Sequence, residues 1–469
     1  MSESTSAARL AEPPAPPPEP RRAGARGDLI AVGAALALVA ALAAVGAYFN
    51  RPNSGVVIYA PAAPIFAHWL PHVGPGSVFA VLVAAAVVLW GPAVASRLSW
   101  RRALAAGYAT SLAWIFSLAM IDGWSRGFTG RLTTPQEYLH EVPGITDIPR
   151  FLREFSSRIL DFQPNSWTTH VSGHPPGATL VFVWLDHLGL RGGAWASTAV
   201  VLVAALVAVA VPATVSLLGR RSAARAVLPF AVLSPGAVWL GVSADGLFAG
   251  VMATGIALLA LAAVGFTHGR RYAVPTALAA GVLLGYGAFL SYGLVLLGLV
   301  AIAVAVLGRQ WRAAALAVVG ALVVVAAFAL AGFWWLDGYH LVVERYYQGI
   351  AMLRPYSYWV WADLAAVAVA AGPAVVAAAR RGVTGAFLPE SRRCLLRDPV
   401  LLLGIAAVVT IVFADVSGLS KAEVERIWLP FGAWLLPMTA LLPAPGRRWW
   451  LAGQAVTALA VNHLLLTSW

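Results

Sequence analysis

The stretch His174–Leu190, HPPGATLVFVWLDHLGL, decides how this chain is threaded. It is apolar, but it is short, opens on Pro-Pro and carries Asp186 and His187. A helical crossing needs about 20 apolar residues to pass about 30 Å of hydrocarbon. Residues 174–190 are therefore read as a re-entrant or interfacial helix that stays on one side of a membrane.

The rest of the chain supplies the membrane. Hydrophobic residues make up 60% of the 469 and charged residues 11%, and the mean hydropathy is +0.78. A soluble core does not require so much apolar sequence. Runs such as 29–49 and 313–334 are long enough to span as helices. They do not alternate as barrel strands would, so the fold class expected is an all-α, polytopic helical bundle. Spans are placed at 28–49, 78–97, 103–121, 194–218, 223–241, 245–266, 273–290, 291–307, 313–334, 358–379, 399–415, 427–443 and 449–467, about thirteen in all.

The formal net charge is +12. Arginines fall in pairs between apolar runs, at 101/102, 220/221, 270/271, 380/381, 392/393 and 447/448. With the N-terminus cytoplasmic and 174–190 not crossing, every pair lies on the cytoplasmic side. This is an orientation signal rather than a nucleic-acid groove. Cys394 is the only cysteine, so no internal disulfide forms. Four units follow. Residues 1–27, rich in Pro, Ala and Arg, form a disordered cytoplasmic tail. Residues 28–102 form a two-span hairpin. Residues 103–310 form a core with an external loop at 122–193. Residues 311–469 supply further spans, with external segments 335–357 and 416–426.

The external loop carries Asp122, Glu137, Glu141, Asp147, Glu154, Asp161 and Asp186. Within TDIPRFLREFSSRIL (146–160), Ile148, Phe151, Leu152, Phe155 and Ile159 share a helical stripe, with Thr146 or Asp147 as cap. That pattern suits a helix lying in the membrane interface. The segment 334–361 is dense in Trp and Tyr, which anchor at headgroup level.

The order of these features resembles the GT-C superfamily of membrane glycosyltransferases. LAMIDGWSRG (118–127) places Asp122 at the outer end of a span, and a long loop follows. HPPG (174–177), LDHLGL (185–190), LLGRR (217–221) and LSPGAVWLGVSAD (233–245) come next. The likeness is to the branch with protein O-mannosyltransferases and lipid A aminoarabinose transferases. It covers roughly 103–310, with a weaker echo in SKAEVERIWLPF (420–431). The resemblance implies a GT-C-like fold and an inverting transfer from a polyprenyl-phosphate-linked sugar. It makes Asp122 the base on the acceptor hydroxyl and lets His174 shape the pocket. Asp122 is followed by Gly123 rather than by a second acid, a departure from the O-mannosyltransferases. The composition, rich in Ala and Arg with Lys421 as the only lysine, points to a bacterial, actinobacterial envelope.

The residues also speak for themselves. An ionisable group at membrane depth is costly unless paired or functional. Asp122, His170, His174, Asp245, Asp337 and Tyr292 are candidates for contact with substrate. Arg426, Lys421, Arg354 and Arg345 are candidates for the donor phosphate, since a cation stabilises a leaving phosphate. Each has a bland counterpart: a capped helix end, a self-neutralising pair, or an arginine snorkelling to headgroups. His170 and His174 are four apart, but Gly173 and the prolines break their helix and no acid matches their spacing. No metal is therefore assigned, and no cofactor is expected. The HVSGHPPG elbow (170–177) is either a binding element or a structural turn. The sequence carries no phosphate-binding loop or dinucleotide fingerprint. A transporter or flippase, or a non-catalytic envelope-assembly subunit, is the alternative to the enzyme.

Overall fold

The computed structural model describes residues 21–386 and 395–467. They form an all-α bundle with one two-stranded sheet. Among the described residues, seven helices are long and apolar enough to cross a bilayer: Gly24–Phe49, Ser77–Arg97, Gly193–Leu217, Ala244–Thr267, Ala273–Leu290, Trp311–Leu330 and Pro399–Val416. An eighth span is reached if the bent pair Tyr356–Ala371 and Pro373–Gly385 counts as one. The protein is thus a multi-pass membrane protein.

The remaining segments expected to span are short, broken or less apolar. The run 223–241 is divided into Arg221–Val232 and Ala237–Leu240, with Pro235 in the gap. The run 291–307 begins as a 3-10 turn, Tyr292–Leu297, before Gly298–Gly308. The run 427–443 is a short helix, Leu429–Gly432, continued by the 3-10 segment Ala433–Leu441, which contains Pro437. Trp100–Ala119 begins with Arg101 and Arg102. Arg447–Leu464 gives way to a strand, Leu465–Thr467, where the sequence suggested continued helix.

The expected span 358–379 is built as two helices bent by 110°. Gly372 sits at the break with φ +83, where glycine carries no Cβ penalty. Pro373 cannot donate to the preceding turn. Gln454, fully buried, spans the gap: Nε2 donates to the Ala371 carbonyl at 2.9 Å, and Oε1 accepts from the Ala374 amide at 3.2 Å. Gln454→Leu keeps the volume and removes both bonds. It should lower stability by about 1–3 kcal/mol, read as a drop in the thermal unfolding midpoint in detergent. An unchanged midpoint would show that the bend is held by packing alone.

The first helix is regular from Arg21, so residues 21–27 of the expected tail are helical; residues 1–20 lie outside the described residues, as do Arg392, Arg393 and Cys394. Buried Asp28 takes Arg381 on both oxygens, at 2.6 Å for the shortest contact, and Arg380 at 3.1 Å. Arg220 meets Asp398 at 3.0 Å, and Arg225 donates to the carbonyls of Ser96 and Leu98. These arginine-rich ends gather at one pole. At the other pole, Ala67–Trp69 pairs antiparallel with Leu465–Thr467, and residues 50–76, 120–192, 331–355 and 417–428 pack together. The bundle has a basic end and a loop end.

Between them lies Ala244–Thr267, the most buried of the candidate spans. A Cβ at Gly250 would stand 2.0 Å from the Val203 carbonyl oxygen, so only glycine permits this helix contact.

At the loop end, Pro176–His187 has 12 residues, about 18 Å of helix. It does not reach across, in agreement with the sequence reading. The amphipathic element is the helix Ile148–Glu154, capped by Asp147 accepting from the Arg150 amide at 3.0 Å. Its stripe does not face lipid as expected. Phe151, Leu152, Phe155 and Ile159 are buried, and Phe155 packs on Trp167 and Phe333.

Candidate active site

The HVSGHPPG elbow is built as its composition suggests. Thr169–Gly173 is a single helical turn, His174 is extended at φ −129 and ψ 155, and Pro176 starts the next helix. The turn aims His170 inward. Its Nδ1 lies 2.9 Å from Glu137 Oε1, and its Nε2 lies 3.3 Å from Arg426 Nη2. His174 Nδ1 bonds the His170 carbonyl at 2.9 Å. Tyr138 stacks on His170 and on Phe182, closing the site from the side.

Arg426 is the hub. It comes from a short helical turn, Val424–Ile427, that follows two left-handed residues, Ala422 at φ 75 and Glu423 at φ 66. Such backbone strain in non-glycine residues recurs at functional sites. The Arg426 guanidinium meets Asp245 at 2.5 Å and Glu423 at 2.7 Å. Asp245 is delivered by the first turn of Ala244–Thr267, capped by Ser243. Glu423 in turn lies 3.6 Å from Arg354. His170, Asp245 and Arg426, three predicted residues far apart in sequence, are thus brought into one buried relay, with His174 beside it.

The electrostatics follow from burial and pairing. Burial alone would raise Glu137, but His170, Arg426 and His174 outweigh it and hold the carboxyl below its usual range. Burial pushes His174 down to about 4, so it stays neutral at physiological pH. Burial would lower Arg426, but Asp245, Glu423 and Glu137 more than offset it and raise it. Glu137 Oε2, Tyr138 OH, Thr134 Oγ1 and Thr168 Oγ1 are buried with no hydrogen-bond partner among the described residues. Buried polar atoms of this kind are normally satisfied by water or a ligand.

The other predicted cations are engaged. Arg354 is buried and donates to the carbonyls of Ile58, Tyr59 and Lys421. Lys421 Nζ donates to the Ala351 carbonyl at 3.0 Å. Arg354 adjoins the relay through Glu423, and Lys421 lies two residues before Glu423 in the chain. Arg345 pairs with Asp161 at 2.6 Å and touches none of the relay residues. Asp337 is exposed in the first turn of Trp335–Gln348. Tyr292 is buried against Trp335 and Tyr339. Neither Asp337 nor Tyr292 joins the histidines. Asp363, buried in the helix Tyr356–Ala371, accepts from the Ala422 amide at 3.1 Å.

Asp122 forms a second centre at the same end. Its Oδ1 lies 2.8 Å from His72 Nε2 and 3.3 Å from Arg126, and its Oδ2 lies 2.6 Å from Arg131. Its side chain is 3% exposed. Arg131 also donates to the Thr467 carbonyl in the C-terminal strand. Asp122 shares no contact with His174; the two centres meet through the adjoining turns Arg131–Thr133 and Tyr138–His140. The self-neutralising pair weighed for Arg426 is present with Glu423; sequence reasoning assigned no role to Glu137 or Tyr138 at the relay, or to His72, Arg126 and Arg131 at Asp122. No local spacing links Glu137 to His170 or His72 to Asp122.

Glu425 lies beside the relay and is fully buried, one oxygen accepting from the Phe66 amide at 2.9 Å. Burial pushes it from 4.5 up to about 7. Between those values the unfolded chain releases the proton and the folded chain keeps it, so stability should fall as pH rises from 4.5 to 7. Glu425→Gln should remove about 3 kcal/mol of this pH dependence. The check is the unfolding midpoint of both proteins across that window. Parallel profiles would contradict the assignment.

No family profile and no curated protein matches the sequence. Solved structures do. The apo oligosaccharyltransferase of Archaeoglobus fulgidus superposes with TM-score 0.50 at 11% identity, over 79% of this chain and 57% of that one. ArnT from Cupriavidus metallidurans, bound to undecaprenyl phosphate, gives 0.41 at 18% identity, over 71% and 59%. The chain spans somewhat more than half the length of these proteins. What is shared is the fold: an all-α, polytopic bundle of GT-C type, as the sequence motifs implied.

Proposed function

We propose that the protein transfers a sugar from a polyprenyl-phosphate donor to an envelope acceptor, with inversion, at the loop end of the bundle. The acceptor is a hydroxyl of a lipid, glycan or protein. Five further segments, at 100–119, 221–240, 292–308, 429–441 and 447–464, complete thirteen crossings. The arginine-rich end is cytoplasmic by the positive-inside rule, which makes the loop end extracytoplasmic in the plasma membrane.

The observation that carries this reading is a buried carboxylate, Asp122, held among His72, Arg126 and Arg131 at the loop end of a GT-C-like fold. Of its partners, Arg126 is the loosest, at 3.3 Å and 48% exposed. A donor phosphate can draw Arg126 away, and exposed pairs cost little to break. Asp122 then takes the acceptor proton as the new bond forms at the anomeric carbon. The bond from that carbon to the phosphate oxygen breaks, its electrons stay on the phosphate, and the cations stabilise that charge.

A second reading has an observation of its own. Both Asp122 oxygens are engaged, and Arg131 ties the same centre to the C-terminal strand. On that reading Asp122 is a clamp, and Glu137, whose Oε2 is buried without a partner among the described residues, is the base. Transfer assays on Asp122→Asn and Glu137→Gln separate the two. A lipid-extract comparison between a deletion strain and its parent would identify the product.

A further inference from the structure

The basic half of the bundle holds a feature unconnected with the loop-end site. An apolar groove of about 470 Å³, within the range of ligand sites, is lined by Leu104, Tyr108, Leu206, Leu217, Leu258 and Leu261 among others. Three helices form it: Trp100–Ala119, Gly193–Leu217 and Ala244–Thr267. Its few polar atoms are already committed. The Tyr108 hydroxyl donates to the Leu202 carbonyl at 2.9 Å, and the Thr254 hydroxyl donates to the Gly250 carbonyl at 2.7 Å. The wall is therefore apolar in effect.

Its length and mouth restrict what fills it. From Leu206 to Leu217 the helix rises about 16 Å, about half of a hydrocarbon core of about 30 Å. A chain lying there belongs to the basic-end leaflet alone. Arg101 precedes Leu104 by three residues and Ala105 by four, which puts it on the same helix face, one turn nearer the basic end. Arg101 and Arg102 are exposed. Arg221, from the neighbouring helix, lies 5.9 Å from the Trp100 ring at the same mouth. Arginines at headgroup depth beside a tail-sized groove make a two-part site.

We propose that this groove binds an anionic phospholipid of the basic-end leaflet, with one acyl chain between the three helices and the phosphate met by Arg101, Arg102 and Arg221. A zwitterionic lipid fills the same groove but gains less from the arginines. The site is independent of the sugar-transfer reading and stands or falls without it.

The test uses the full chain, delipidated in neutral detergent and followed by native mass spectrometry. Dioleoyl phosphatidylglycerol and dioleoyl phosphatidylcholine are titrated separately, with glycerol phosphate as the headgroup alone. The wild type should prefer phosphatidylglycerol by about tenfold and ignore glycerol phosphate. Arg101→Gln with Arg102→Gln should shrink the preference to about twofold while still binding both lipids. Ala213→Phe with Ala257→Phe should weaken both. Arg270→Gln with Arg271→Gln, elsewhere among the basic loops, should change nothing. Equal affinity for the two lipids, tight binding of glycerol phosphate, or a preference that survives the Arg101/Arg102 change would overturn the proposal. So would a preference lost with Arg270 and Arg271. The exposed arginine changes leave the fold intact, so the outcome does not depend on the groove-filling variant, whose unfolding midpoint is measured alongside.

Discussion

Arg426→Met should lower stability by about 3–5 kcal/mol, the cost of leaving buried charges without their partner. Asp245 and Glu423 both rest on this guanidinium, and His170 touches it. Methionine fills much of the volume and supplies no charge, so buried Asp245 loses its counter-ion, and half-buried Glu423 keeps only Arg354 at 3.6 Å. Arg426→Lys should recover only part of the loss, because an ammonium cannot meet groups on three sides with a planar fork. Denaturant unfolding in detergent reads both. A loss below about 1 kcal/mol, the range of exposed pairs, would mean that solvent reaches the relay. Asp245→Asn combined with Arg426→Met should cost less than the sum of the two single changes, since the charges are removed as a pair.

Asp122→Asn should reduce sugar transfer by about 10²–10⁴-fold, the usual contribution of a positioned base. The amide is isosteric and still accepts from Arg131, but it takes no proton and leaves two arginines uncompensated. Activity must therefore be normalised to folded protein. Glu137→Gln should leave the maximal rate within about tenfold, because on this reading it acts through His170 rather than on the acceptor. If Asp122→Asn transfers sugar at the wild-type rate and Glu137→Gln does not, the base is Glu137 and the Asp122 centre is a clamp.

The bundle was legible because apolar runs, proline breaks and arginine pairs are local signals. The short helix after HPPG declared itself by length, Pro-Pro and two polar residues. The stripe from Ile148 to Ile159 showed its period, although period cannot say whether a face meets lipid or protein, and here it meets Trp167 and Phe333. The site was only half legible. An intramembrane or rim charge can be picked out by type, as Asp122, His170, Asp245 and Arg426 can. Its partner cannot, because pairing depends on tertiary contacts, which join Asp245 to Arg426 across 181 positions and His72 to Asp122 across 50. Arg354 reads as a phosphate ligand by sign alone, yet carbonyls at positions 58 and 59 take its donors. The bend at Gly372 was also missed: its signature is one Ala-Gly-Pro run, and the glutamine that seals it lies at position 454.

The little sheet between Ala67–Trp69 and Leu465–Thr467 has a consequence for biosynthesis. Ribosomes deliver residues 67–131 long before residue 467, so the carbonyl that steadies Arg131 follows it by 336 positions. A polypeptide made only that far, already threaded into the bilayer, holds Asp122 in an incomplete cradle. Only the strand Leu465–Thr467 fastens it, so the Asp122 centre closes after the helices between have entered the bilayer.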